Sequence, residues 1–248
     1  MARSHKIIAI LLYPGMTALD AIGPYEILRN LPNTEVCFVW KTVSPIITDS
    51  EVLVLGATHT MAQVPDPDVI LIPGSSGDTP VMMADEEVLS WIKRAHEHTT
   101  FTTSVCSGAL ILGAAGILEG HPATTHWAGM QALELFGATP KPRERVVRAG
   151  KIITAAGVSA GIDMALELAA MLADEHTART IQLWIEYDPQ PPFDSGHTSK
   201  APADVRRRAR GLANKEAMNL RSAASLPTIL LRRFQRLLTA RAGARPAR

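Results

Sequence analysis

The stretch that decides the fold is "FTTSVCSGALILGAAG", residues 101–116. Residues 101–105 are of strand length and end in an apolar position, and 107–116 read as a helix of small and apolar side chains. Between them stands Cys106, followed by Ser107, Gly108 and Ala109, which allow a tight turn and close packing. A strand that turns sharply into a helix lifts the side chain at the turn above the end of the sheet. There the thiol meets the N–H groups and positive end of a helix, which favour thiolate and depress its pKa. The plainer reading is a small apolar side chain packed in a core, the usual fate of a free cysteine. The residues leave both readings open for Cys106. Cys37, inside the apolar strand "EVCFVW", fits the packing role.

Outward from that turn the pattern repeats. "KIIAILLY" (6–13) and "DVILIPG" (68–74) are continuous apolar runs of strand length, and 35–43 reads as a further strand. Helices are expected over 18–30, 85–98, 127–136 and from about 159 to 186. Residues 44–61 read as a hairpin-like excursion, "ATT" as strand-like, and "RVVRAGKIITAAG" as β-rich. Unbroken apolar strands alternating with helices predict an α/β domain, a parallel sheet with helices on both faces. In such sheets sites form beyond the carboxyl ends of the strands. That rule selects four glycine-bearing turns: Tyr13-Pro14-Gly15, Pro73 to Gly77, Cys106-Ser107-Gly108 and Gly157-Val158-Ser159.

The N–H of Ser107, beside those of the Gly74–Gly77 loop, could bind a developing negative charge. A thiolate also needs an acid or base. Asp20, about one turn into the first helix, could face the same crevice, and packed against a thiolate its carboxyl would stay protonated. A solvated aspartate at a helix N-terminus fits the same position without any chemistry. Glu26 reads as a surface residue. His126 in "ATTHW" could edge the pocket as a neutral imidazole, or serve packing or a dimer interface. Trp127 reads as core or pocket wall. His96 and His98 fall on different helix faces, and neither H-E-x-x-H nor paired C-x-x-C occurs, so no metal site is expected. The chain has no P-loop and no G-x-G-x-x-G.

With 46% hydrophobic and 20% charged residues, the composition is that of a soluble globular protein, and no apolar run reaches a membrane span. Basic residues precede the first apolar run, as in a leader, but Tyr13-Pro14-Gly15 breaks it without a cleavage site. Two cysteines give no disulfide framework. A cytoplasmic location follows as an expectation. The net charge of +1 hides a division: residues 1–199 carry 12 Lys/Arg against 22 Asp/Glu, and 200–248 carry 13 against 2. Two parts are therefore expected, a body over 1–203 and a basic helical extension over 204–248. The strap "YDPQPPFDSGHTSKAPAD" before it holds four prolines in eighteen residues, too many for a regular element. In 226–242, Ile229, Leu230, Phe234, Leu237 and Leu238 fall along one side, with Arg232, Arg233, Arg236 and Arg241 largely on others. Such a helix could touch anionic membrane, and Arg206–Arg208 nucleic acid. The favoured expectation is a solvated appendage, or one folded back on the acidic body, with no catalytic part.

The segments "LLYPGMTALDAIGPYEIL", "VILIPGSSGD", "TTSVCSGALILGAAGILEGHPATTHW" and "AAGVSAGIDMALEL" resemble the ThiJ/PfpI superfamily, relatives of the class I glutamine amidotransferase fold. "LWIEYDPQPPFDSG" resembles its isonitrile hydratase branch. The resemblance spans about residues 6–200 and implies a flavodoxin-like domain, usually a homodimer. It casts Cys106 as nucleophile at a strained elbow, Asp20 as its acid, and Gly74 and Ser75 of the "PGSSG" loop as the oxyanion-binding turn. Ser107 departs from the histidine of the intracellular-protease branch and from the threonine commoner in isonitrile hydratases. Ser75 departs from the loop's second glycine, and the segment beyond about 205 lies outside the resemblance.

What the resemblance implies is cofactor-free hydration of isonitriles, small-molecule substrates, to N-substituted formamides. Two other readings stand beside it. One is a glyoxalase- or deglycase-type enzyme acting on reactive carbonyls through the same thiol. The other is a ligand sensor like that of AraC-type regulators, which carry about a hundred further residues as two helix-turn-helix units. A basic tail of about forty-five residues cannot supply those units, so specific nucleic-acid binding is not expected.

Overall fold

The computed structural model describes residues 5–217 and 220–243. Arg3, part of the leader-like start, and residues 244–248 lie outside the described residues, as do the side chains of Arg236, Leu237 and Arg241. The first apolar run forms β1 (Lys6–Leu11), and Ile8 through Tyr13 are fully buried. Each isoleucine and leucine among them contributes roughly 1.5–3 kcal/mol when taken from water. Helix α1 (Ala18–Leu28) and β2 (Thr34–Trp40) follow, then β3 (Pro45–Ile47) and β4 (Val54–Gly56), which pair antiparallel as the expected excursion. β2 ends at Trp40, before position 43, and Lys41 turns away to pair with Asp85 at 2.6 Å.

β5 (His59–Thr60) lies at the sheet edge, β6 (Val69–Ile72) is buried throughout, and α2 (Thr79–Ala84) and α3 (Glu86–His98) come after it. The Asp85 carboxylate caps α3 by accepting the Val88 N–H at 3.2 Å. β7 (Phe101–Val105) then enters α4 (Gly108–Ala115). The two-residue strands β8 (Pro122–Ala123) and β9 (Thr139–Pro140) flank Trp127–Phe136, which winds as a 3-10 helix where an α-helix is expected. Both its ends are closed by short-range bonds: His126 Nδ1 accepts the Ala128 N–H, and Gly137, at φ +75°, turns its N–H back to Glu134. β10 (Val146–Ala149) and β11 (Ile152–Ala155) form a hairpin, and α5 (Ala160–Leu172) and α6 (Glu175–Trp184) complete the body. After the irregular strap come α7 (Ala203–Ala217) and α8 (Leu220–Gly243).

The seven-stranded sheet has the order β10-β11-β7-β6-β1-β2-β5 and is parallel except at β10. Ile10, Leu71, Thr103 and Ile153 stand abreast across its centre. α1 and α6 pack on α5 over one face; α2, α3 and α4 cover the other, with α8 outside α2. The flavodoxin-like arrangement aligns the ends of β1, β6, β7 and β11, so the four glycine-bearing turns come together above one edge.

Candidate active site

Two residues, Cys106 and Ser107, connect β7 to α4. Cys106 has φ +57°, a left-handed backbone that costs a non-glycine residue about 1 kcal/mol or more. Its surroundings hold it there. The Cys106 N–H donates to the carbonyls of Ala156 (2.8 Å) and Ala155 (3.2 Å), and Thr125 Oγ1 donates to the Cys106 carbonyl at 2.8 Å. Two glycines allow the approach of loop to helix. A Cβ on Gly108 would lie 2.1 Å from the Ile72 carbonyl oxygen, and one on Gly74 would lie 2.5 Å from the Ser107 nitrogen. No side chain fits at either.

Asp20 is fully buried in the first turn of α1. Its Oδ2 accepts the Gly74 N–H at 2.8 Å, and its Oδ1 is buried without a hydrogen-bond partner among the described residues. Burial pushes its pKa from 3.8 up to about 7, against smaller lowering by the Gly74 N–H and by the neighbouring Cys106 thiol. The Cys106 thiol is also pushed well up, by burial first and by the Asp20 charge second. The main-chain N–H groups of Ser107 and Val158 pull the other way and are outweighed. This corrects the expectation of a depressed thiol. At a helix N-terminus in water the dipole would win; at 5% exposure desolvation does. Acid and thiol form a coupled pair in which the charge of one opposes ionisation of the other.

The loop donors are also redistributed. The Gly74 N–H, expected to face a developing anion, is bound to Asp20. The Ser75 N–H donates to Ser107 Oγ at 3.0 Å, and that hydroxyl also meets Thr79 Oγ1 at 2.7 Å and the Ser75 carbonyl at 3.1 Å. Ser107 Oγ thus braces loop against helix, and Gly74 and Ser75 position the acid and the turn. The donors that act on the sulfur are the main-chain N–H groups of Ser107 and Val158. Val158 lies in the fourth glycine-bearing turn, but no residue-type signal marks a main-chain donor.

Cys106 opens into a cavity of about 490 Å³, whose body side includes Thr17, Met83, Leu110, His126 and Trp127. His126 is among the residues that line it. Its Nδ1 accepts the Ala128 N–H at 3.4 Å, and burial, then the Arg210 charge, lower its pKa so that the ring stays neutral. The far wall comes from α7, with Ala209, Leu212, Ala213 and Glu216. The basic extension thus folds back on the body, but it does so over the thiol. Ser222 Oγ donates to the Gly77 carbonyl, Ile229 is buried, and Arg232 and Arg233 pair with Glu86 (2.7 Å) and Glu119 (3.6 Å). The stripe expected on α8 divides: Ile229 packs inward, while Leu230, Phe234 and Leu238 are exposed.

Cys37 is a different thiol. It lies in β2, equally buried, with burial and then Glu35 pushing its pKa up to about 11. With Glu35 and His59 it offers three potential metal donors within 4.8 Å of one another, a grouping across β2 and β5 that no sequence spacing reveals. Among the described residues no helix is long and apolar enough to cross a membrane.

Residues 6–171 match the DJ-1/PfpI family. The chain is 44% identical over 224 residues to the isonitrile hydratase of Pseudomonas putida, covering 88% of this chain and 97% of that protein. The crystal structure of a ThiJ/PfpI family protein from Pseudomonas syringae is similar with TM-score 0.83 at 39% identity, over 89% of this chain and 90% of that one. Drosophila melanogaster DJ-1beta shares the fold at TM-score 0.66 and 18% identity, over 75% of this chain and all of that one. Motifs and fold lead to one conclusion: this chain belongs to the DJ-1/PfpI family.

Proposed function

We propose that this protein is an enzyme of the hydratase class that adds water to isonitriles, giving N-substituted formamides, with Cys106 as nucleophile and Asp20 as proton carrier. The observation that carries the reading is the Cys106 thiol at a left-handed turn that opens into the cavity, with the fully buried Asp20 beside it as its acid partner. An isonitrile carbon has no leaving group to protonate, so one nucleophile and one acid suffice for its first step. The similarity to the Pseudomonas putida isonitrile hydratase supports the same chemistry.

As Cys106 sulfur attacks the terminal carbon, the pair's proton passes through Asp20 to that carbon, leaving a thioimidate, R–N=CH–S–Cys. Water then adds to the same carbon while the Asp20 carboxylate takes one of its protons and returns it to nitrogen. Collapse of the tetrahedral adduct breaks the C–S bond, forms the formyl carbonyl and gives the remaining water proton back to the pair. The Ser107 and Val158 N–H groups stabilise the sulfur as it leaves.

The test is turnover by purified protein of small alkyl isonitriles beside methylglyoxal, with the formamide formyl proton followed by NMR. Formamide production lost in Cys106→Ala supports the proposal. Conversion of methylglyoxal without hydration of any isonitrile overturns it.

A further inference from the structure

The arginines of the two C-terminal helices are treated differently by the fold. On α8, Arg232 and Arg233 reach Glu86 and Glu119. On α7, Arg206, Arg207 and Arg210 line a cavity of about 380 Å³ whose apolar wall is Trp127, Met130 and Pro142. None of these three arginines has a carboxylate partner among the described residues. Among the described residues no acidic side chain lines the cavity.

Two of the cations are held in place. Arg206 Nη1 donates to the carbonyls of Ala201 (2.7 Å) and Thr198 (3.3 Å). Arg210, one helical turn on, lies over the Trp127 ring with its guanidinium carbon 4.6 Å from the centroid. A guanidinium held by its face keeps its N–H edge free to grip an oxyanion. Like charges four residues apart on one helix repel, and a bound anion would reverse that repulsion. The start of α7 adds the positive end of its dipole.

We propose that this cavity binds a small organic oxyanion, a carboxylate or phosphate carried on an apolar group, beside the Cys106 chamber and separated from it by Trp127. Its volume is that of a small-molecule site, and it pairs an apolar wall with fixed polar groups. The arginines take the charge; Trp127, Met130 and Pro142 take the apolar part. A nucleic-acid backbone would need cations spread along an open surface, whereas these converge on a concavity. Occupancy would reach the chamber, because Trp127 lines both cavities and the Arg210 charge acts on His126. This site does not depend on the chemistry at Cys106.

The test is calorimetric titration at constant ionic strength with phenyl phosphate, benzoate and inorganic phosphate as probes. Saturable one-to-one binding is expected, with phenyl phosphate tighter than inorganic phosphate. Arg210→Ala should weaken it about tenfold, the scale of one charge-assisted hydrogen bond, and Arg210→Lys should fall between. Binding should shift the Trp127 indole and His126 ring resonances and should survive Cys106→Ala. Three results would each overturn the site: no saturable binding of any probe, affinity unchanged in Arg210→Ala, or salt-steep binding of an oligonucleotide alone.

Discussion

Cys37 and Cys106 are both buried, both belong to the continuous core, and both have thiol pKa values raised by desolvation. What separates them is the backbone. Cys37 continues a strand, so its neighbours are the side chains of one face of a sheet. Cys106 interrupts one, and at φ +57° it brings its sulfur among main-chain donors, a buried acid and a cavity. Burial alone therefore says nothing about chemistry; what the surrounding groups can donate does.

The largest expected effect tests that contrast directly. Cys106→Ala should abolish hydration, by about four orders of magnitude or more, as loss of a covalent nucleophile does. Formamide production by that variant within tenfold of wild type would erase the distinction between the two thiols.

Asp20→Asn should come next, lowering kcat by roughly 10²–10⁴ with less change in KM. Its stability carries a second signature. The folded Asp20 titrates near 7 rather than 3.8, so between those values the native state holds a proton that the unfolded chain has lost. Native stability from this group is present below about pH 4, declines as pH rises through that window, and is gone above about 7. Asn cannot ionise, so the variant should gain on wild type between pH 4 and pH 8 by about 2–4 kcal/mol, read from urea midpoints. A flat difference would place the carboxyl in water.

Truncation after Ala203 removes the α7 wall. Iodoacetamide should then alkylate Cys106 about tenfold faster, as expected of a more accessible thiol, while Cys37 changes little. kcat/KM should fall several-fold. An unchanged alkylation rate would show that α7 does not cover the thiol. The smallest effects concern the strand cysteine. Both thiols are pushed up by burial, so access decides between them: mild peroxide, followed by mass spectrometry, should modify Cys106 first, because only its sulfur opens into the cavity. Cys37→Ala should leave turnover within about twofold and cost about 1 kcal/mol of stability.

The strands and the turn at Cys106 were legible because continuous apolar runs and a Cys-Ser-Gly junction allow few local geometries. Strand order was not, since a residue pattern does not name its neighbour. The loop donors were misread for a related reason. Whether the Gly74 N–H serves a substrate or Asp20 depends on a partner 54 positions away. α7 defeated the pattern differently: a helix with no buried residue reads as a solvated face, yet Ala209, Leu212 and Ala213 wall the cavity. Burial measures what a helix hides, and this helix shapes a space.

The order of the central strands also governs how activity arises in time. Asp20, Gly74, Cys106 and Val158 follow β1, β6, β7 and β11, neighbours in the sheet but widely spaced along the chain. Each parallel ladder closes only after a long crossover has formed, which makes such pairing slow. No contiguous segment contains a working fraction of the centre. On refolding, helical signal should therefore return before catalysis, and a chain arrested with β11 undocked would keep its thiol without the Val158 donor that faces it.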